Sequence, residues 1–198
     1  MVEENTSTLF LNDIQLARTA LKDPGAEEAL LRRLYPKIIQ TALTIVGDRS
    51  MADDVAQIAA LQILKSLDKF RGEGSLDAWA GRITCRAAIR LAKREQRLIK
   101  RFVPISDTKS PQDDRMENEL SRRSLYEKLI AHLQKMPWKR RVALLLHLAH
   151  GYTVHEVAEL TEVSPNTVKD RLRTAYKELR SIMDKNPSLR TEILEEIS

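Results

Sequence analysis

Arg82, Arg86, Arg90 and Arg94 recur every four residues, and Lys93, Arg97, Lys100 and Arg101 crowd in beside them. On a helix that spacing lines the guanidinium groups up along one side. Between Arg71 and Arg101 nine basic residues stand against three acidic ones. Exposed like charges one turn apart repel, at a cost of about 0.2–0.5 kcal/mol per pair. A stripe kept despite that repulsion points to the phosphates of a nucleic acid, with a merely solvated face as the plainer alternative. Ile83, Ala87 and Leu91 form an apolar ladder about 100° further round the same helix, the side expected to pack.

A second constellation runs from Tyr152 to Arg180. Ser164-Pro165 offers a hydroxyl N-cap followed by a proline whose missing N–H costs nothing at the first helical position. Val168, Leu172, Ala175 and Leu179 then mark a buried face. Asn166, Thr167, Lys169, Asp170, Arg171 and Arg173 are left pointing outward near the N-terminus of that helix. Upstream, Thr153 and Glu156 stand in capping-box register before a short helix carrying Val154, Val157, Ala158 and Leu160. Two helices joined by a tight turn, the second longer and more basic, make a helix-turn-helix whose second helix can read base edges in the major groove. The alternative is an αα-hairpin with a solvated basic face.

The elements that position these groups are helical throughout the reading. The 198 residues are 31% charged and 5% aromatic, with only 6 Gly and 7 Pro, a composition that suits helices better than sheets. The net charge of +5 favours a polyanionic partner. Cys85 is the single cysteine, which excludes an internal disulfide and a cysteine-rich zinc site. His132, His147, His150 and His155 lack a second soft ligand, so no metal and no cofactor is expected. Clustered carboxylates, a P-loop and a nucleophile paired with a base are all missing, so the chain is not expected to be an enzyme. The N-terminus does not read as a signal peptide and no window is long enough to span a membrane, so a cytoplasmic protein is expected.

Taken in order, a short amphipathic run carries Leu9, Ile14, Leu16 and Leu21 and is broken at Asp23-Pro24-Gly25. A helix from Ala26 ends at Gly47, and Pro36 should kink or divide it. Ser50 is the expected cap of a third helix, with Asp53 and Asp54 in its first turn. That helix is apolar round much of its circumference, as a central bundle helix would be. Ser75 caps the basic helix, expected from about Leu76 to Leu98. The organisation expected is an N-terminal extension at 1–25, a helical domain at 26–101, a flexible acidic linker at 102–122, a helix-turn-helix domain at 123–183 and a tail at 184–198.

The residues carry a likeness to a known family. The stretch MPWKRRVALLLHLAHGYTVHEVAELTEVSPNTVKDRLRTAYKEL resembles region 4 of the extracytoplasmic-function (ECF) sigma factors, the compact group 4 of the bacterial sigma-70 family. The matching positions are Pro137, Arg141, Gly151, Glu156, Val157, Ala158, Ser164, Thr167, Val168, Lys169, Arg171 and Leu172. DDVAQ at 53–57 and FRGEGSLDAWAGRI at 70–83 are similar to region 2. The resemblance implies an all-α protein of two small helical domains, a region 2 four-helix-type bundle and a region 4 helix-turn-helix. It implies a transcription initiation subunit with core RNA polymerase (β′ coiled coil and β flap), promoter DNA and an anti-sigma factor as partners. Asp53, Asp54 and Gln57 would dock the polymerase. Phe70, Arg71, Ser75, Arg82, Arg86, Arg90, Lys93, Arg94 and Arg97 would recognise and open the −10 element. Ser164, Pro165, Asn166, Thr167, Lys169, Asp170, Arg171 and Arg173 would read the −35 element. The alternative is a stand-alone dimeric helix-turn-helix repressor or activator. It explains residues 152–180 but leaves the arginine stripe without a role. Trp79 and Trp138 are expected to be buried, with direct nucleic-acid contact as the minority reading.

Overall fold

A computed structural model describes residues 12–102, 133, 135–185 and 187. Leu9, the expected linker beyond Phe102, the helical run from Leu120 through Leu125, Leu129 and Ile130, and the tail beyond 187 lie outside the described residues. Every regular element among the described residues is helical. The chain divides into two compact units, Met1–Ile99 and Lys100–Ser198. No described helix is long and apolar enough to cross a membrane.

In the first unit α1 covers residues 12–20, α2 Pro24–Val46 and α3 Arg49–Lys65. A single 3₁₀ turn at Leu67–Lys69 leads to a loop, then α4 runs Leu76–Phe102. Asp23-Pro24-Gly25 does more than end α1. The Asp23 carboxylate accepts the Gly25 N–H and Pro24 takes the first helical position, so the breaker is also the start of α2. Gly47 closes α2 in the left-handed conformation (φ 73°), which a residue with a Cβ adopts at a cost. Pro36 does not divide α2, which is continuous through it. Arg32, whose carbonyl loses its helical donor there, and Pro36 itself are both exposed, so water can satisfy the freed oxygen.

The cap of α3 is Asp48, not Ser50. Its carboxylate accepts the Met51 N–H at 2.8 Å, so the helix begins two residues earlier than expected and Asp53 and Asp54 fall in its second turn. Nor is α3 buried all round. Ala52, Val55, Ala56, Ala59 and Ile63 are buried, while Ile58 and Leu61 are 37% and 58% exposed. α2 packs on α3, and the core is Leu30, Leu34, Ile38 and Ile45 against Val55, Ile63, Leu76 and Ile89, all nearly inaccessible. Each such side chain contributes about 1.5–3 kcal/mol by leaving water.

α4 extends four residues beyond the expected end at Leu98. Among its described side chains Leu76, Ala80, Thr84, Cys85, Ala87, Ala88 and Ile89 are buried, whereas Ile83 and Leu91 of the anticipated ladder are half-buried. The packed face is rotated toward small residues, which allow closer helix approach, and the Thr84 hydroxyl is satisfied by the Ala80 carbonyl at 2.9 Å. α1 buries Asp13, Ala17 and Ala20, while Ile14 and Leu16 are half-buried and Leu21 is exposed.

The second unit holds α5 (Trp138–Leu148), α6 (Val154–Thr161) and α7 (Pro165–Lys185), each packed on the other two. Leu133, Met136, Leu144, Leu145 and Ala175 form its apolar centre, with Leu179 against them. An ion pair between Arg140 and Glu178 ties α5 to α7. The His147 Nδ1–H donates to the Tyr152 carbonyl at 2.7 Å and fixes the path from α5 into the helix-turn-helix.

Candidate nucleic-acid interface

In the first unit the loop between the 3₁₀ turn and α4 folds over the N-terminus of α4. The Ser75 hydroxyl accepts the Ala78 N–H at 3.1 Å, the expected cap. Behind it Phe70 and Trp79 meet as a tilted aromatic pair, with ring centroids 5.5 Å apart and planes at 56°. Together they wall a cavity of about 410 Å³, lined also by Lys69, Arg71, Glu73, Ser75 and Arg82. Four of the residues expected at the −10 element, Phe70, Arg71, Ser75 and Arg82, therefore meet in one recess. Trp79 belongs with them. It is half-buried rather than sealed in a core, and presents its ring to the recess. Lys69, Glu73, Gly74 and Ala78 complete the lining.

From this recess the cationic stripe leads away along α4. Arg82, Arg86, Arg90 and Arg94 are all exposed, and from the first to the last the helix rises about 18 Å. That is roughly five nucleotide steps of a strand at 3.4 Å each. Lys93 is half-buried and off the exposed line, and the side chain of Arg97 lies outside the described residues. An aromatic recess that can stack an unpaired base, continued by a row of cations that can track its phosphates, is the arrangement of a single-strand binding groove.

A separate face of this unit lies on α3. Asp54, Gln57, Ile58 and Leu61 follow the i, i+3, i+4, i+7 spacing of one helix face and are all exposed. Asp53 is half-buried and paired with Arg49 of the turn before it at 3.4 Å. This face carries a carboxylate, an amide and two uncovered aliphatic side chains.

In the second unit the local signals act as the sequence suggests. The Thr153 hydroxyl accepts the Glu156 N–H while the Glu156 carboxylate accepts the Thr153 N–H, a complete capping box. Glu162 takes φ 58° and ψ 49° at the turn, a left-handed conformation held without glycine. The Ser164 hydroxyl accepts the Thr167 N–H at 3.2 Å and pairs with the Thr167 hydroxyl at 2.9 Å, so α7 starts at Pro165. Val168, Leu172 and Ala175 are buried beneath it.

Ser164, Asn166, Lys169, Asp170 and Arg173 are exposed on the opposite side. Pro165, Thr167 and Arg171 are half-buried instead. Partial burial pushes the Arg171 guanidinium below the usual arginine range, and burial does the same to Arg141. Arg173 is paired with Asp170 at 3.1 Å, but both are so exposed that the pair holds neither firmly. A phosphate or a base edge can take Arg173 over at little expense.

Among the described residues no group of three His, Cys, Asp or Glu side chains is arranged to hold a metal ion.

Comparison with known proteins agrees with this geometry. The family model for Sigma-70 region 2 matches residues 30–98, and that for Sigma-70 region 4 matches 126–179. The chain is 26% identical over 162 residues to the RNA polymerase sigma factor CarQ of Myxococcus xanthus, covering 80% of this chain and 91% of the relative. It is 25% identical over 148 residues to the ECF RNA polymerase sigma factor EcfG of Rhodopseudomonas palustris strain TIE-1, covering 75% and 80%. Its fold matches the structure of the sigma factor RpoE in complex with the anti-sigma factor NepR from Bartonella quintana. The TM-score is 0.56 at 17% identity, over 80% of this chain and 97% of that one.

Proposed function

We propose a mode of action that proceeds from one premise: this chain belongs to the extracytoplasmic-function group of the bacterial sigma-70 family. It is a sigma factor, which directs core RNA polymerase to promoters, and its helix-turn-helix unit and region 2 unit act on two elements of the same promoter. The observation that carries the reading is the recess of Phe70, Trp79, Arg71 and Arg82 at the head of the arginine stripe.

α7 enters the major groove at the −35 element. Ser164, Pro165, Asn166, Thr167, Lys169, Asp170, Arg171 and Arg173 meet the groove and its phosphates there. Arginine bidentate to guanine and asparagine bidentate to adenine each supply about 1–3 kcal/mol of discrimination. Arg171, partly desolvated before DNA arrives, has less hydration left to lose than a fully exposed arginine.

At the −10 element the recess receives a base that has left the stack. Stacking on an aromatic ring is worth about 1–3 kcal/mol per base. Extruding a base costs a few kcal/mol, so the recess alone roughly balances the first flipped base and does not open a duplex unaided. The remainder comes from phosphate contacts along Arg82, Arg86, Arg90 and Arg94, with Lys93 beside them and Arg97 further on, and from the polymerase that holds the duplex in register. Ser75 supports the loop by capping the helix behind it.

The face of Asp54, Gln57, Ile58 and Leu61, with Asp53 beside it, docks the β′ coiled coil, and the second unit meets the β flap. An anti-sigma factor competes for these surfaces while the protein is held inactive. The site of action is the cytoplasm.

The test is reconstitution. The purified chain should bind core polymerase and give run-off transcripts from a promoter selected out of random sequence by the assembled enzyme. A chain that binds duplex operators by itself as a symmetric dimer and directs no initiation with core would overturn the reading. For the inhibitor, a candidate anti-sigma factor should displace core polymerase, and stable simultaneous binding of both would refute competition.

A further inference from the structure

The loop that bears the recess is held at both ends by a helix that lies ahead of the family-matched segment. Asp13 of α1 is buried, and one of its carboxylate oxygens accepts the N–H of Leu76, the first residue of α4, at 2.8 Å, across 63 positions of sequence. Its other oxygen accepts from the Arg33 guanidinium at 3.3 Å, and Arg33 also donates to Asp77 at 2.8 Å. Partial burial works against the Arg33 cation, but attraction to Asp77 and then Asp13 outweighs it and raises its pKa. The start of α4 is thus capped twice. Ser75 satisfies Ala78 locally, and Asp13 satisfies Leu76 from a distance, with a negative charge where the helix dipole favours one.

The other end of the loop is fixed by shape. Gly72 has φ +74°, and a Cβ placed there would lie 2.4 Å from the Ile14 Cδ1 and 2.7 Å from its Cγ1. Ile14 therefore sits directly against the backbone of the turn, leaving no room for a side chain. Between these two points of contact lie Glu73, Gly74 and Ser75, which with Phe70 and Arg71 just ahead line the recess.

We propose that Asp13 and Ile14 are positioning residues for promoter opening: α1 braces residues 70–76 so that the recess is already shaped when an unstacked base arrives. The proposal rests on the reading of that recess as the −10 base site. An unbraced loop would have to order itself on each capture, and the cost would appear in the opening step alone.

The experiment uses the full chain with core polymerase and a promoter carrying 2-aminopurine in the −10 element, read by stopped-flow fluorescence below the unfolding temperature of every variant. Asp13→Ala should slow opening about tenfold, the scale of losing a hydrogen bond to a charged partner. Asp13→Asn keeps an acceptor for Leu76 and should stay within about threefold of the parent. Gly72→Ala should slow opening, and adding Ile14→Ala should restore part of the rate, since the clashing partner is gone. Core affinity and binding to −35 duplex should stay unchanged in all four.

A merely structural role would lower core affinity in step with opening, or leave Asp13→Asn no better than Asp13→Ala; either result overturns the proposal. Trp79→Ala separates the two readings. If it opens the promoter like the parent, the recess reading fails and the brace falls with it. If it is impaired while Asp13→Ala opens normally, the brace alone is refuted.

Discussion

Glu162 offers a perturbation whose size can be worked from the backbone. It sits at φ 58° and ψ 49°, between the capping helix and the recognition helix, and its N–H closes α6 on the Ala158 and Glu159 carbonyls. A residue with a Cβ in this region costs about 1–2 kcal/mol. Replacement by glycine removes that strain but gives the unfolded chain about 0.4–1 kcal/mol of added freedom. The net gain for Glu162→Gly is about 0.5–1 kcal/mol, which for a unit of this size raises the unfolding midpoint by about 2–8 °C. Glu162→Ala is the control, since it loses the same carboxylate and its contacts but keeps the Cβ. Trp138 is in this unit and Trp79 in the other, so in a Trp79→Phe background fluorescence follows the second unit by itself. The glycine variant should melt above the alanine variant. Both should bind −35 duplex equally more tightly than the parent, because each removes one negative charge beside the DNA face. A glycine variant that melts at or below the alanine variant would refute the assignment of left-handed strain to this turn.

Other substitutions isolate other parts. Thr153→Ala breaks the capping box and should destabilise the second unit by about 0.5–2 kcal/mol in the same fluorescence assay. Arg90→Ala should reduce the salt slope of single-stranded −10 binding by about 0.7 per lost phosphate contact, measured by anisotropy over a salt series. The same variant should leave −35 duplex binding unchanged. Arg171→Ala should relax upstream sequence preference by about 1–3 kcal/mol at one base pair, read by competition between duplexes, and leave opening of a pre-melted −10 bubble intact.

What could be read from sequence was local. Thr153 with Glu156, Ser164-Pro165, Ser75 and Gly47 each signal within four residues, and each forms the cap or stop its chemistry suggests. The helix-turn-helix follows from those signals plus the spacing of Val168, Leu172 and Ala175. Local rules stumble where two candidates adjoin, since Asp48 and Ser50 are both good caps and it is Asp48 that accepts the Met51 N–H. They also cannot tell a core face from an uncovered one, because Ile58 and Leu61 have the same side chains either way. The recess and its brace were the least legible. Gly72 against Ile14 and Leu76 against Asp13 join positions about sixty residues apart, and neither Asp13 nor Ile14 carries a motif. Trp79 was expected in a core because tryptophan usually is; it is half-buried and lines the recess instead.

The claim at the centre is that one polypeptide, held on core polymerase, grips a promoter at α7 while the recess at Phe70 and Trp79 captures a base from the strand it opens. Permanganate reactivity of thymines across a selected promoter measures this directly. Reactive thymines should appear in the −10 element only when chain and core are both present, and Trp79→Ala should abolish them while protection at the −35 element persists. Reactivity that is unchanged by Trp79→Ala, or protection by the chain alone without any opening when core is added, would contradict it.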